Sequence, residues 1–388
     1  RSTAGIIGWG RSTTRRRPDR DRREFIPEVT MNPTHILLSG ATGTLGLELL
    51  PRLLRQNPRP DVTLLLRAES RVACRRRLSA VKRYVRTYWP ELDLNRLGAV
   101  RGDVSLPRLG LQDHQYRDLQ NHVSHVVHAA ALTKFNPPTR LAWRTNVLGT
   151  ERILQFAHGG ARLKRLAFVS TAYVAGDRSG SVTESELDCG QGFLNTYQRS
   201  KYEAESLVRS WMPRLPIIVL RPSIIVGDST DGHISSLDNI YYPLEMIATG
   251  TVREIPAPGS TRLDLVPIDY VVSAMVQLLA SPDSPGLTFH LTAGAGNTVT
   301  ARTLVETAVR LAGRRPDLPP RFAEDLATRT AGPSNPQGEE SAWPHRDASR
   351  QDPASNCMES ESLPPCSSTP SRSHTDSPAW ICRAFRSG

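Results

Sequence analysis

The chain has 388 residues, of which 38% are hydrophobic and 30 are proline, and its formal net charge is +11. Its length allows two compact domains or one large α/β domain with an appendage. Five scattered cysteines without a Cys-x-x-Cys pair argue against a disulfide framework, a zinc site or a redox dithiol; without an apolar run of roughly 18–20 residues or the apolar stretch of a signal peptide, a cytoplasmic protein is the expectation.

Residues 1–30 form a leader rich in Arg, Ser and Thr that is expected to be disordered, with much of the charge between Arg11 and Arg23. A nucleic-acid arm is one reading. A solvated or non-native leader is the favoured one, because no aromatic interleaves the arginine-rich stretch from Arg11 to Arg23, Trp9 standing before it, and nothing downstream resembles a nucleic-acid module. Met31 stands where an initiator would. From there apolar runs alternate with helical patterns. Strands are expected at 35–39, 61–66, 99–102, 125–131, 165–170 and 217–220, and helices at 44–56, 71–88, 141–158 and 196–212. Continuous apolar strands separated by helices predict a parallel sheet covered on both faces. Right-handed crossovers then make it a Rossmann-type, doubly wound α/β fold over 31–222. Beyond Pro222 the alternation loosens. Helical spacing at 241–249, 268–280 and 300–311, with strand-like 263–266 and 287–291, fits a small substrate lobe, 223–313. It interleaves with the Rossmann domain and closes over the carboxyl ends of its strands. Leu304, Val305, Ala308 and Leu311 would form the apolar stripe of its last helix. From about Arg314 to 388 the composition turns to Pro, Ser, Arg, Glu and Asp. Such a segment buries too little apolar surface to offset its ordering entropy. A disordered tail and the product of a shifted reading frame are both open.

The chemistry-bearing motifs follow the same order. Gly40-Ala41-Thr42-Gly43-Thr44-Leu45-Gly46 leaves a strand and opens a helix. Gly40 permits the tight turn, Gly43 lets backbone approach a pyrophosphate, and Gly46 lets the helix pack close to the sheet. The helix N-terminus offers unpaired N–H groups to the phosphates. At the end of the second strand, where an acidic residue would bind the ribose hydroxyls of NAD, the chain has Arg67, followed by Arg71 and Arg75-Arg76-Arg77. A guanidinium there pairs with a 2′-phosphate, which favours NADP. Glu69, two residues on, is the competing acidic candidate, and most of the arginine run reads as a solvated helix face. Asp103 with Val104, after Gly102, suits an adenine amino group and ring or, equally, a turn cap. Ala129, Ala130 and Ala131 are small enough to let backbone lie against a cofactor, while His128 reads as a structural core residue. Tyr197 and Lys201 are four apart and share a helix face. A lysine cation one turn away lowers a tyrosine pKa and makes it a usable acid. Thr171, at the end of the intervening strand, would hydrogen-bond the same substrate oxygen. No metal site is indicated.

At these residues the chain resembles the extended short-chain dehydrogenase/reductase family, from about His35 to Leu311. Gly102-Asp103-Val104, His128-Ala129-Ala130-Ala131, Asn146-Val147-Leu148-Gly149-Thr150 and Ser170-Thr171 also stand where that family has its motifs. Leu220-Arg221-Pro222-Ser223 and Leu265-Val266-Pro267-Ile268-Asp269-Tyr270-Val271-Val272 are similar to the thioester-reductase and fatty-acyl-CoA-reductase, or male-sterility-like, branch. The resemblance implies NADP(H)-dependent reduction, NAD(H) being less favoured, of an acyl thioester on CoA or an acyl carrier to an aldehyde or alcohol. It also places Thr42, Thr44, Leu45, Asn146 and Pro222 with the cofactor-binding set. Small stand-alone bacterial reductases, without adenylation and carrier domains, are the most similar members. A homodimer is left open, and neither nucleic acid nor a membrane is an expected partner.

On this reading hydride passes to a carbonyl carbon, Tyr197 donates to the developing oxyanion, Lys201 holds the nicotinamide ribose and Thr171 is the second donor. Nucleotide-sugar epimerases and dehydratases share every core motif and are the alternative, although 241–247 is more apolar than a sugar diphosphate would ask for. A non-catalytic cofactor-binding protein is the third reading.

Overall fold

Strands of nearly unbroken apolar sequence have to be covered on both faces, and the first of them, with Ile36, Leu37 and Leu38 fully buried, lies inside a sheet rather than at its edge. The computed structural model describes residues 34–134, 136–237, 239–312 and 320–322. The basic leader, Met31 and most of the expected tail lie outside the described residues. In chain order the elements begin β1 (His35–Ser39), α1 (Thr44–Leu54), β2 (Asp61–Leu66), α2 (Arg71–Tyr88), β3 (Leu97–Arg101), α3 (Asp113–His122) and β4 (His125–His128). A short α4 (Thr139–Ala142) runs through a π-turn, Trp143–Val147, into α5 (Leu148–His158). Then come β5 (Arg165–Val169), α6 (Thr196–Trp211), β6 (Ile217–Pro222), β7 (Ile224–Val226), α7 (Tyr241–Ala248), β8 (Glu254–Ile255), β9 (Arg262–Leu263) and β10 (Leu265–Pro267). The described chain closes with α8 (Ile268–Ala280), β11 (Thr288–Leu291), β12 (Val299–Thr300), α9 (Ala301–Leu311) and β13 (Arg321–Phe322).

The main sheet has the order β11-β6-β5-β4-β1-β2-β3, with every neighbouring pair parallel. The chain runs outward from β1 to β3, then returns to lay β4 on the other edge of β1. That reversal opens a crevice at the carboxyl ends of β1 and β4, where doubly wound sheets bind their ligands. Leu119 of α3, Ile153 and Phe156 of α5 and Val208 of α6 join strand residues in one buried cluster, while α1 and α8 pack against each other outside it. Three small two-stranded sheets, β7 with β10, β9 with β12 and β8 with β13, build the second lobe. No helix among the described residues is long and apolar enough to cross a membrane.

Several elements differ from the sequence expectation. Helix α3 was not expected: Leu119 is its one buried residue, so it carries no apolar stripe to read. The single helix expected over 141–158 is interrupted by the π-turn. The strand expected to run to 131 ends at His128, leaving Ala129–Ala131 as loop. On α9 the buried side chains are Ala301 and Val305, while Leu311 is 73% exposed and does not belong to the stripe. Strand β13 falls inside the segment expected to be tail. Phe322, 1% exposed, packs with Ile247, Ala301 and Val305, and the Arg302 guanidinium lies 4.5 Å from its ring centroid. Composition missed this because a lone aromatic in a polar stretch still finds an apolar face.

Candidate active site

The turn after β1 is built by steric necessity. Gly40 has φ +80°, and a Cβ there would lie 2.5 Å from the Ala129 carbonyl carbon; one on Gly46 would lie 2.3 Å from the Gly40 oxygen. Gly43 differs: a Cβ would meet only the Gly40 oxygen, at 3.5 Å. The fold therefore does not need glycine at 43, whereas a phosphate resting on the backbone does. Gly43 is also the N-cap of α1, with no side-chain cap and no acidic residue in the first turn. The first N–H groups of that helix face a ligand space with the positive end of its dipole. These features fit a dinucleotide.

One cavity of about 620 Å³ joins this turn to all the other predicted site residues but Asn146. Gly40, Thr42, Gly43, Thr44, Leu45, Gly46, Arg67, Arg77, Asp103, Val104, Ala129, Ala130, Ala131, Thr171, Tyr197, Lys201 and Pro222 all line it. Arg67 and Arg77 are exposed at one end. Neither Glu69 nor Arg71, Arg75 and Arg76 lines the cavity; the Glu69 carbonyl instead accepts from the Arg101 guanidinium at 3.3 Å. Asp103 makes the expected turn contact, one carboxylate oxygen accepting from Ser105 N–H at 2.8 Å, and the residue also lines the cavity.

Asn195 starts α6 by accepting from Gln198 N–H at 2.9 Å, which puts Tyr197 in the first turn. Lys201, one turn on and 3% exposed, donates to the Val169 carbonyl at 2.8 Å and lies 4.3 Å from the Phe168 ring centroid. Burial lowers its pKa to about 7, against the raising effect of Glu205. Thr171 follows β5 and is buried; its hydroxyl donates to the Pro222 carbonyl at 3.4 Å and lies close enough to the Tyr197 phenol to lower its pKa. The lysine was expected to depress the tyrosine pKa. Instead burial pushes Tyr197 up to about 12, with Thr171 opposing and Tyr173 adding to the rise. Desolvation is the largest cause of the rise, and Lys201 is not among the groups that shift this phenol. The phenol is therefore a held proton donor in this state.

Asn146 does not line the cavity. Its side chain accepts from Leu132 N–H at 2.7 Å and donates to the Leu132 carbonyl at 3.2 Å and to Ser200 Oγ at 2.9 Å. It therefore clamps the loop after β4 to α6, at a π-turn of the kind frequent at functional sites. His128, fully interior, hydrogen-bonds Ser39 at 2.8 Å and Thr150 at 3.1 Å. Burial drops its pKa to about 3.

A second support was missed from sequence. Glu205, 0% exposed, accepts from Ser170 Oγ at 2.6 Å and from the Arg221 guanidinium at 2.6 Å, and Arg221 in turn donates to His290 Nε2 at 3.1 Å. This network ties α6 to β5, β6 and β11 directly behind the site. The signal was present: Glu205 stands four after Lys201, and Arg221 lies in the quoted Leu-Arg-Pro-Ser motif. Unpredicted cavity residues include Tyr173, Asn195, Ser223, Ile224, Ile225 and Ile234.

The model of the male sterility protein family, an NAD-binding domain family, matches residues 38–275. The chain belongs to that family. Among its curated relatives, a linear gramicidin synthase polypeptide of Brevibacillus parabrevis is 32% identical over 264 residues, covering 66% of this chain and 5% of that protein. Aldehyde reductase lnbA of Aspergillus flavus is 31% identical over 267 residues, covering 66% of this chain and 26% of that protein. The chain thus spans a minor part of the length of these relatives. Among solved structures, the terminal R domain from the myxalamid PKS-NRPS biosynthetic pathway superposes with a TM-score of 0.63 at 33% identity, covering 70% of this chain and 68% of that one. The family is one of NAD-binding domains, and relatives and neighbours named as a reductase or a reductase domain are among those that match.

Proposed function

We propose that the protein is an NADPH-dependent reductase of acyl thioesters, borne on CoA or an acyl carrier, with Tyr197 as the proton donor. The observation that carries this reading is the composition of the cavity. The glycine turn, the Thr171–Tyr197–Lys201 constellation and an apolar wall of Ile224, Ile225, Ile234, Ile240 and Pro243 share one space. An aliphatic acyl group fits that wall, whereas a sugar diphosphate would leave its hydroxyls and charges facing isoleucines. The nucleotide-sugar epimerase alternative is disfavoured on that ground.

The cofactor supplies the hydride. The turn 40–46 and the α1 N-terminus hold its pyrophosphate, Asp103 and Val104 the adenine, and Arg67 with Arg77 the 2′-phosphate. Lys201 would hold the nicotinamide ribose. Tyr197 and Thr171 converge on the substrate carbonyl oxygen, and Tyr197 donates its proton as negative charge develops there. Positioned oxyanion donors are commonly worth about 10²–10³ in rate each.

The test follows NADPH absorbance against aliphatic acyl-CoAs, acyl-pantetheines, aldehydes and nucleotide sugars, with fluorescence titration of NADPH and NADH alongside. Thioesters should consume NADPH, and NADPH should bind more tightly than NADH, with Arg67→Ala narrowing the gap. Turnover of nucleotide sugars without net NADPH consumption would instead support the epimerase alternative. Equal affinity for the two cofactors would remove the role given to Arg67.

A further inference from the structure

Tyr173 lines the same cavity as Thr171, Tyr197 and Lys201, yet the reaction as set out above gives it no part. It sits in the single turn Ala172–Ala175 that follows β5, where its N–H donates to Thr171 Oγ1 at 3.3 Å. The Thr171 hydroxyl itself donates to the Pro222 carbonyl at 3.4 Å. Among the described residues, no hydrogen bond reaches the Tyr173 hydroxyl. Its charged neighbour is Asp264, whose carboxylate is occupied by the Ser223 hydroxyl and by the N–H groups of Ala293 at 2.9 Å and Gly294 at 3.1 Å. Burial, then the nearby Asp264 charge, pushes the Tyr173 phenol up to about 12, so it stays a donor. It is also close enough to Tyr197 to raise that group's pKa.

The carbonyl carbon of a thioester carries three groups: an oxygen, an acyl chain and a sulfur. Tyr197 and Thr171 take the oxygen, and the isoleucine wall takes the chain. Tyr173 brings a further hydroxyl into the same cavity, near enough to Tyr197 to influence it. We propose that Tyr173 hydrogen-bonds the sulfur of the bound thioester and stabilises the thiolate as it departs, an assignment that rests on the thioester reading above. Hydride from NADPH forms the C–H bond and the Tyr197 proton forms the O–H bond, which gives a hemithioacetal. On collapse the C–S bond breaks, the O–H proton returns to Tyr197, and the bonding pair leaves on sulfur. Tyr173 keeps its proton and donates a hydrogen bond to that charge; solvent then protonates the thiolate. The balance is thioester, NADPH and one proton to aldehyde, thiol and NADP. An aldehyde substrate has no sulfur for Tyr173 to meet.

The experiment compares kcat/KM for an aliphatic acyl-CoA with kcat/KM for the aldehyde of the same chain length, in the unmodified protein, Tyr173→Phe and Tyr197→Phe. Tyr173→Phe keeps the ring and should lower the thioester-to-aldehyde ratio about tenfold or more, the factor expected of a hydrogen bond to a group gaining charge. Tyr197→Phe should depress both substrates together, since both need the oxyanion donor. An unchanged ratio in Tyr173→Phe overturns the assignment while leaving the thioester reading intact. An unmodified protein that reduces the aldehyde but not the thioester overturns the reading and the assignment with it.

Discussion

At the scale of single residues, the three glycines after β1 separate packing from binding. Gly46→Ala would drive a methyl to 2.3 Å from the Gly40 oxygen, whereas Gly43→Ala meets nothing in the chain closer than 3.5 Å. The first change should lower the thermal midpoint by several degrees, as overpacking typically costs about 1–3 kcal/mol. The second should leave the midpoint within about a degree but weaken NADPH binding tenfold or more. Thermal melts and fluorescence titration of both variants check this, and equal behaviour of the two would remove the phosphate-cradle role of Gly43. The motif spacing was legible here because glycine turns are local. The Tyr197 pKa was not, since its direction depends on how much protein surrounds the phenol, and no sequence pattern reports that.

At the scale of elements, β13 gives the sharpest departure from composition. Phe322 fills the small core of the second lobe beneath α7 and α9. Phe322→Ala should cost about 3–5 kcal/mol of lobe stability, read as earlier proteolysis around α9 and a lower midpoint. Unchanged protease resistance would mean the pairing of β13 with β8 contributes little. The strands of the main sheet were readable because each is a continuous apolar run between helices: β1, β2 and α2 have the bounds their sequence suggested. The elements that escaped lack that signature. α3 has one buried residue, the π-turn keeps helical spacing on both sides, and β8, β9, β12 and β13 are two residues long. Of the site, the residues carried by contiguous motifs were legible. Tyr173 was not, because its neighbours are distant in sequence, and Glu205 was signalled only by its spacing from Lys201, its partners Ser170 and Arg221 lying far along the chain.

At the scale of the whole molecule, burial of neutral histidines sets a pH dependence. His128 is lowered to about 3 and His125 and His290 to about 4, each chiefly by burial. Above the ordinary value near 6.5 both folded and unfolded chains hold these rings neutral, so they contribute no slope. Below it the unfolded chain binds protons that the folded chain refuses. Stability should therefore fall as pH drops through 6.5 towards 4, by at most about 1.4 kcal/mol per unit for each ring. Urea unfolding at about pH 7 and about pH 5 measures the difference, and a flat profile would show that the rings are protonated in place. The central claim concerns where hydride goes. Its most direct measurement uses NADPH deuterated at the transferred position with an aliphatic acyl thioester, and follows the aldehyde by mass spectrometry. The predicted result is an aldehyde carrying one deuterium on its carbonyl carbon, released with one equivalent of thiol, and a rate reduced about 10²–10⁴-fold in Tyr197→Phe. Unlabelled product, or labelled NADPH recovered intact while a nucleotide sugar is turned over, would contradict it.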